Sequence, residues 1–269
     1  MLTSTRDDVA VERVTTSVAG LDLVHRARGE GPAVVVLHHS FGTFGWPQLA
    51  AELASDHQVL VPDIPGYGDS AQPTWARHPR DLAALLQAWI DRLGLDAPVV
   101  VGAGFGGWVG AELATMVGPR LGGLVLVGAA GLVPHDGRIF DQMLVAHRQY
   151  VRQAFSDGAV YDALFGEEPS DDLLITWDLN REMTARVAWK PYMYNRALEP
   201  LLTEVRVPAL VVWGDDDQIV PRECGERYVE RLPDARLEIV GDCGHAVDLE
   251  RPADLAALVR SLADPTEGG

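Results

Sequence analysis

The chain has 269 residues, 47% of them hydrophobic, and its 39 acidic and 22 basic side chains give a formal net charge of −17. This length suits one large α/β domain with room for an insertion, and it is sufficient to bury a sizeable core. Because a surface this acidic repels phosphate backbones and anionic lipids, we expect no nucleic-acid partner and no membrane partner.

Cysteine content and the N-terminal residues narrow the class further. Two cysteines, Cys224 and Cys243, are too few for a disulfide framework, and no Cys/His cluster has the spacing of a zinc site. We therefore expect no metal and no cofactor. The first twenty residues lack the apolar core of a signal peptide, and no apolar run reaches the roughly 18 residues of a membrane span. These patterns predict a cytoplasmic protein and do not indicate its oligomeric state.

Predicted strands and helices alternate along the chain. A hairpin over residues 10–25 comes first, and apolar runs then predict strands at residues 33–37, 58–61, 99–101, 124–127, 209–213 and 236–240. Helical periodicity falls between them, at residues 47–54, 79–93, 107–117, 225–232 and 252–262. Strands that are apolar throughout are typical of a parallel sheet covered on both faces. The sequence therefore predicts an α/β fold with a mostly parallel, doubly wound sheet.

One long stretch breaks this alternation. Residues 131–205 show helical periodicity without a clear strand, and they hold nearly half of the chain's aromatic residues. We predict a helical cap there, inserted into a core formed by residues 1–130 and 206–264, with a disordered tail at residues 265–269. Most of these aromatic side chains should pack the cap on the core, while one or two face a cavity beneath it.

The predicted strand at residues 99–101 runs into a glycine-rich turn and then a helix, which is the setting of a G-x-S-x-G nucleophile elbow. The five positions are Gly102, Ala103, Gly104, Phe105 and Gly106, so glycine stands where this motif has its serine. Glycine adopts the strained backbone of such a turn at little cost, so we expect the turn to form without the hydroxyl. The small residues there should leave room for one or two waters, each of about 30 Å3.

Two later segments supply a histidine and an acid. His245 follows a predicted strand and a Cys-Gly turn that would place its ring over the carboxyl end of the sheet, where it could act as a general base and then a general acid. Asp217 follows the strand predicted at residues 209–213 and is expected to accept a hydrogen bond from that ring, which would fix its tautomer. Asp215 and Asp216 lie in the same loop and are alternatives for this role.

Five motifs occur in one order along the chain: LHHSFG at residues 37–42, DIPGYGDS at 63–70, GAGFG at 102–106, WGDDD at 213–217 and GDCGH at 241–245. Together, and with strands predicted before them, they make the chain resemble the α/β-hydrolase-fold family over roughly residues 10–262. The resemblance implies an α/β-hydrolase fold with an inserted helical cap. It also implies that Asp217 is the acid, because it occupies the fourth position of the family's G-x-x-D pattern. The reaction is less specified, since this fold hosts many chemistries.

The first of these motifs matches the family's oxyanion loop. Ser40 aligns with the residue whose backbone N–H points into the pocket, and together with the N–H of Phe105 it would stabilise a developing oxyanion. His39 replaces the glycine that the family commonly has there, and structural and functional roles for it are equally open. His38 is expected to be a buried, hydrogen-bonded structural residue. A nucleophilic role for Ser40 is a further alternative.

Candidate substrate-binding residues lie in or beside the oxyanion loop and the elbow. We predict substrate contacts from His39, Phe41, Ala103 and Trp108, although Trp108 also suits a packing role. His245 is expected to direct its second ring nitrogen at Gly104, beneath a mostly apolar cavity roofed by the cap.

The leading hypothesis is a cofactor-independent enzyme that acts on a small, mostly apolar organic substrate. His245 and Asp217 would activate water or move a substrate proton, and no acyl-enzyme would form on Gly104, which has no side chain to acylate. Two alternatives are open. One is a non-catalytic ligand-binding protein, and the other is a serine hydrolase inactivated by a Ser-to-Gly substitution.

Overall fold

The computed structural model describes residues 10–263. Within this range the strands are β1 (Glu12–Val18), β2 (Leu21–Arg28), β3 (Ala33–Leu37), β4 (Gln58–Pro62), β5 (Val99–Ala103), β6 (Gly123–Val127), β7 (Ala209–Gly214) and β8 (Ala235–Val240). The α-helices are α1 (Gln48–Leu53), α2 (Pro79–Leu93), α3 (Phe105–Val117), α4 (His147–Gln153), α5 (Gly158–Phe165), α6 (Asp171–Ala188), α7 (Leu198–Leu202), α8 (Glu223–Arg231), α9 (Val247–Glu250) and α10 (Pro252–Ala263). The tail predicted at residues 265–269 lies outside the described residues.

The strands form one eight-stranded sheet in the order β1-β2-β4-β3-β5-β6-β7-β8. β1 pairs with β2, and β2 with β4, in antiparallel fashion, whereas the remaining neighbours are parallel. β3, β5, β6 and β7 are buried along their whole length, as expected for strands covered by helices on both faces. The predicted mostly parallel α/β sheet is therefore confirmed, and the predicted hairpin forms its antiparallel edge.

Helix α2 shows how local sequence sets the ends of an element. His78 precedes the helix and accepts a hydrogen bond from the Arg80 amide at 3.1 Å, while the Asp81 carboxylate accepts one from the His78 amide at 3.0 Å. Pro79 opens the helix, and Gly94 ends it with a φ of 65°. Glycine adopts this left-handed conformation without strain, so it is a common end to a helix. The predicted bounds of this helix match the structure at both ends.

Helix α3 begins at Phe105, earlier than the periodicity predicted. The glycines that follow do not break the helix; they let it pack closely on the sheet. A Cβ on Gly106 would lie 2.5 Å from the carbonyl oxygen of His38, and one on Gly107 would lie 2.6 Å from the Cβ of Ala129. This close approach holds the first turn of α3 at the carboxyl end of β5.

Four helices, α4 to α7, lie between β6 and β7, in the segment predicted as a helical cap. Most aromatic side chains of this segment are buried, among them Tyr150, Phe165 and Trp177, whereas Trp189 is exposed. The buried rings contact one another edge to face, as Phe165 and Trp177 do at a centroid distance of 5.4 Å. The boundaries of the cap at residues 131 and 205 remain a prediction.

Hydrogen bonds connect helix α6 of this segment to two loops at the carboxyl edge of the sheet. The side-chain amide of Asn180 donates to the carbonyl oxygen of Phe41 at 2.8 Å. The hydroxyls of Tyr67 and Thr184 lie 2.8 Å apart. These contacts hold α6 above the loops that follow β3 and β4. No helix within residues 10–263 is both long and apolar enough to cross a membrane.

Candidate active site

Gly104 forms the sharp turn between β5 and α3. Its backbone has φ 54° and ψ −110°, a conformation that is strained for any residue with a Cβ. The turn is held by hydrogen bonds: the Gly104 amide donates to the carbonyl oxygen of Val127 at 2.8 Å, and the Gly104 carbonyl oxygen accepts from the amide of Ala130 at 3.1 Å. The elbow therefore keeps its backbone shape with glycine at its centre.

His245 and Asp217 lie in hydrogen-bond contact beside this turn. His245 Nδ1 is 2.8 Å from Asp217 Oδ2, and the exposed fractions of the two side chains are 3% and 1%. The other carboxylate oxygen of Asp217 accepts hydrogen bonds from the amides of Ile219 and Val220 at 2.8 and 2.9 Å. An ionised, fully bonded carboxylate assigns the ring proton to Nδ1 and leaves the Nε2 lone pair of His245 free to accept a proton.

The neighbouring acids of the same loop point elsewhere. The Asp215 carboxylate accepts a hydrogen bond from the Cys243 amide at 3.2 Å, and this backbone contact holds the pKa of Asp215 below its usual range. The Asp216 carboxylate accepts one from the side-chain amide of Gln218 at 2.7 Å. Only Asp217, of the three candidate acids, contacts the His245 ring in the structure.

His245 Nε2 faces the elbow together with a second ring. A Cβ built on Gly104 would lie 2.9 Å from His245 Nε2 and 2.6 Å from His39 Nδ1. Both distances are shorter than a Cβ tolerates without a shift of its neighbours. The space above Gly104 is therefore narrower than the sequence indicated, because His39 turns into it.

His39 forms a His–Asp pair of its own, which the sequence reasoning missed. His39 Nε2 lies 2.8 Å from Asp248 Oδ1, and the ring stacks on Phe41 at a centroid distance of 4.7 Å. Its centroid is 5.0 Å from that of His245, and its Nδ1 has no hydrogen-bond partner among the described residues. The available signal was a histidine in place of the family's usual glycine. No motif marked Asp248, which lies in the short helix after His245.

His38 is held by two hydrogen bonds away from the elbow. Its Nε2 accepts from the Ile64 amide at 3.0 Å, which assigns its proton to Nδ1, and that nitrogen lies 2.7 Å from the carbonyl oxygen of His39. Burial lowers the pKa of His38, so the ring is neutral. The position agrees with a structural role.

The backbone amides of Ser40 and Phe105 are the expected oxyanion donors. Within residues 10–263, neither amide has a hydrogen-bond acceptor, so both remain available to a bound oxygen. The Ser40 hydroxyl donates to the hydroxyl of Tyr150 at 3.4 Å and contacts no histidine of the described chain. The geometry thus supplies no base for a nucleophilic Ser40. Burial, reinforced by the charge of Asp217, raises the pKa of Tyr150, in helix α4, to about 12, so its hydroxyl stays protonated.

The predicted substrate contacts occupy different places. Phe41 is buried and stacks on the site ring of His39. Ala103 packs in the core with Val36 and other residues of one sheet face. Trp108 is buried, and its indole N–H donates to Glu112 at 3.1 Å. The structure places Ala103 and Trp108 in packing positions, and their role toward a substrate remains a prediction.

Two cavities lie near this edge of the sheet. The larger, of about 610 Å3, is lined by cap residues including Phe140, Tyr192 and Tyr194, with Gln218 from the core. The other, of about 240 Å3, is lined by His39, Asp248 and several aromatic side chains: Phe41, Phe44, Trp46 and Phe165. Neither of these two cavities is lined by His245 or Gly104, so neither is the apolar cavity expected directly above the elbow. Within residues 10–263, no three His, Cys, Asp or Glu side chains are arranged as a metal site.

The order of the motifs, the elbow and the position of His245 point to one family, and the comparison with known families decides it. The profile of the Alpha/beta hydrolase family matches residues 7–258. The chain belongs to the alpha/beta hydrolase family.

Curated members of this family are similar over nearly the whole chain. The chain is 27% identical over 239 residues to 2-hydroxy-6-oxo-6-phenylhexa-2,4-dienoate hydrolase of Burkholderia cepacia, with 81% of this chain and 82% of that protein covered. It is also 27% identical over 274 residues to 2-hydroxy-6-oxo-6-(2'-aminophenyl)hexa-2,4-dienoic acid hydrolase of Metapseudomonas resinovorans, with 94% and 90% covered.

Solved structures show the same alpha/beta hydrolase fold. A serine hydrolase involved in carbazole degradation superposes with a TM-score of 0.78 at 22% identity, covering 94% of this chain and 98% of that one. The 2-hydroxy-6-oxo-6-phenylhexa-2,4-dienoate hydrolase of Rhodococcus sp. strain RHA1 gives 0.74 at 19% identity, covering 94% and 99%. At these identities the similarity establishes the fold alone, and the reaction is inferred from the residues of the site.

Proposed function

We propose that this alpha/beta hydrolase is a cofactor-independent enzyme in which His245 and Asp217 act without a covalent nucleophile. One observation carries the proposal: His245 has the carboxylate partner and the tautomer of a general base, and its free Nε2 faces Gly104. A general base in this position serves either a water molecule or an acidic proton of the substrate.

The hydrolytic form of this reaction balances without an acyl-enzyme. As a water oxygen attacks a substrate carbonyl carbon, His245 Nε2 takes one proton from that water. The carbonyl oxygen becomes an oxyanion, for which the free amides of Ser40 and Phe105 are the proposed donors. The imidazolium then returns its proton to the leaving carbon or oxygen, giving a carboxylic acid and a released fragment. The Asp217 carboxylate stabilises the imidazolium throughout.

The proposed substrates are small, mostly apolar carbonyl compounds. The named relatives are hydrolases of 2-hydroxy-6-oxo-dienoates, and we propose a carbonyl compound of comparable size for this chain. The apolar and aromatic lining of the two neighbouring cavities supports this choice. Lyase-type proton transfer on such a compound needs the same base and no added water.

The test compares turnover by the wild type and four variants on 2-hydroxy-6-oxo-6-phenylhexa-2,4-dienoate and on p-nitrophenyl acetate. Products are identified by mass spectrometry. His245→Gln removes the base, and Asp217→Asn should lower kcat by about 10⁴-fold through the wrong ring tautomer. Asp216→Asn makes the same change at an exposed position of the same loop and should leave kcat near that of the wild type.

Two results would count against the proposed base. Turnover that persists in His245→Gln would show that another group does the chemistry. Greater loss in an Asp215→Asn variant than in Asp217→Asn would show that the acid is misplaced.

A second candidate function is ligand binding without turnover. The observation in its favour is the crowding at the elbow, where His39 Nδ1 comes within 2.6 Å of a Cβ position on Gly104. Isothermal titration of the compounds above distinguishes the candidates, because a receptor binds and releases its ligand unchanged. The third candidate, a serine hydrolase inactivated by a Ser-to-Gly substitution, requires that a serine fit at residue 104.

We also propose that residues 131–205 form a cap domain and that the protein works in the cytoplasm. The four helices between β6 and β7 and the absence of a membrane-spanning helix within residues 10–263 support these proposals.

A further inference from the structure

We infer that His39 and Asp248 form a second acid–base dyad that works on the same reacting atoms as His245 and Asp217. The inference rests on the proposed function and adds a second proton carrier to it. It assigns a role to the histidine that stands in place of the family's usual glycine.

The two dyads face the same point from different elements. His39 follows β3, and His245 precedes the short helix α9, which supplies Asp248. His39 Nδ1 and His245 Nε2 lie 2.6 and 2.9 Å from one common position, that of a Cβ on Gly104. Each ring is backed by a carboxylate at 2.8 Å on its other nitrogen. An atom of a substrate or water just beyond this position therefore meets two imidazole nitrogens.

A structural histidine in a protein core satisfies both of its ring nitrogens, because a buried polar atom without a partner costs free energy. His38 meets that expectation, with a partner on each nitrogen. His39 does not: it is 2% exposed, and its Nδ1 is unpartnered among the described residues. His25 and His147 also have unpartnered ring nitrogens, but the His39 nitrogen lies at the elbow, beside His245 Nε2. A group that binds at the elbow accounts for the unpartnered nitrogen.

Two carboxylates and two uncharged groups lie around the rings of His39 and His245. Asp248 and Asp217 are the carboxylates on the far sides of the rings, and the neutral His38 and protonated Tyr150 complete the surroundings. Two imidazolium rings with centroids 5.0 Å apart would repel each other, so the proposed cycle uses one protonated and one neutral ring.

With one ring neutral and the other protonated, each ring carries out one of the two proton transfers of the reaction. In hydrolysis, neutral His245 accepts a proton from the attacking water, while protonated His39 donates its Nδ1 proton to the leaving group. Afterwards the proton on His245 passes to His39 directly or through solvent, which restores the starting state. The Asp248 carboxylate holds the His39 ring in place through Nε2.

The first test replaces His39 by glutamine. A glutamine amide reaches the position of Nε2 and keeps a donor for Asp248, yet it places no group at Nδ1. We expect kcat on the substrate that the wild type turns over to fall by about 10²–10⁴-fold with little change in KM. The pH profile of kcat should lose one of its two limbs, because one ionising group remains.

The matched control is His25→Gln. His25 is also buried with an unpartnered Nδ1, but it packs against Trp89 on the antiparallel edge of the sheet, at a centroid distance of 5.1 Å. The His25→Gln substitution should change neither kcat nor the pH profile of kcat. An unchanged kcat in His39→Gln, with turnover lost in His245→Gln, would overturn the second dyad and leave the proposed function intact.

The second test needs no substrate. Long-range 1H–15N spectra of the imidazoles give the tautomer and the titration of each ring in the wild type, His39→Gln and His25→Gln. We expect His39 to carry its neutral-state proton on Nε2 and the titration of His245 to change in His39→Gln alone. A proton on Nδ1 of His39, or independent titration of the two rings, would overturn the inference even where no turnover is found.

Discussion

At the residue scale, positions 39 and 104 depart from the family pattern together. The resemblance of the motifs implies glycine at the first and serine at the second, whereas this chain has His39 and Gly104. The structure explains the pairing by volume: the His39 ring nitrogen lies 2.6 Å from where a Cβ on residue 104 would stand. A side chain at 104 and a ring at 39 compete for the same space. We interpret the two departures as one coupled change of the site.

This coupling predicts the behaviour of restored serine variants toward a fluorophosphonate probe, which needs an activated hydroxyl. The wild type should not label. Gly104→Ser alone should label poorly, because its Cβ would force the His39 ring to shift. The double variant His39→Gly with Gly104→Ser should label better than the single variant, since it removes the nearer of the two rings, at 2.6 Å, and leaves His245 and Asp217 in place. Labelling is measured by intact-protein mass spectrometry.

Two outcomes would contradict this reading. Equal labelling of the single and double variants would show that His39 does not restrict residue 104. Strong labelling of the wild type, mapped to Ser40, would make Ser40 the nucleophile after all.

At the element scale, helix α4 begins with a buried histidine, His147. His147 is buried between the rings of Tyr150 and Trp177, at centroid distances of 5.7 and 6.2 Å. Neither of its ring nitrogens has a partner among the described residues. Burial, with a smaller effect of the Arg181 charge, lowers the pKa of His147 to about 3. The folded protein therefore holds this ring neutral at neutral and mildly acidic pH.

The lowered pKa makes the stability of the protein depend on pH. Below pH 6.5 the unfolded chain binds a proton at His147 that the folded chain does not bind until about pH 3, so the free energy of unfolding falls as pH falls through this window. His147→Phe keeps an aromatic ring and removes the titration. Between pH 7 and pH 5 the free energy of unfolding should fall less in the variant than in the wild type, by up to about 2 kcal/mol.

Urea denaturation at the two pH values measures this difference. His135→Gln, a change at an exposed histidine, is the control and should follow the wild type. An identical pH dependence in wild type and His147→Phe would show that His147 is accessible to protons in the folded state.

At the scale of the whole molecule, the sheet could be predicted because its parallel strands are apolar throughout and its helices carry clear start and stop residues. Gly104, His245 and Asp217 could be placed because each follows a strand within a short motif. The contact of His39 with Asp248 could not, because it joins residues 209 positions apart that meet only in the folded protein, where both lie at the carboxyl edge of the sheet. Tyr150 was missed for a similar reason: it reaches Ser40 only after the cap segment folds over the core.

Glu250 links these distant parts of the molecule. One carboxylate oxygen accepts hydrogen bonds from the amides of Ser156 and Asp157, in the cap segment, at 3.0 and 2.9 Å. The other accepts from the amide of Gly244, next to His245, at 2.6 Å. A single side chain therefore fixes the histidine loop to the connection between α4 and α5.

Removing this link should destabilise the whole fold. Glu250→Ala leaves three backbone donors without their acceptor, and we expect the free energy of unfolding to fall by about 1–3 kcal/mol. Glu238→Ala is the control, because Glu238 is half-buried on the edge strand β8 and forms an ion pair with Arg236 at 3.6 Å. Equal stability of the two variants in urea would show that the cap and the histidine loop are held together by other contacts.

The covered site has a kinetic consequence. His245 is 2% exposed, and the bonds from Asn180 to Phe41 and between Thr184 and Tyr67 fasten α6 across the loops beside it. We expect a substrate-sized molecule to reach His245 only while such contacts are broken. Ligand binding thus includes a first-order opening step. The rate of this step is a property of the protein and does not depend on the ligand concentration. Raising the ligand concentration then speeds capture only up to a plateau, and the height of that plateau is the opening rate of the cap.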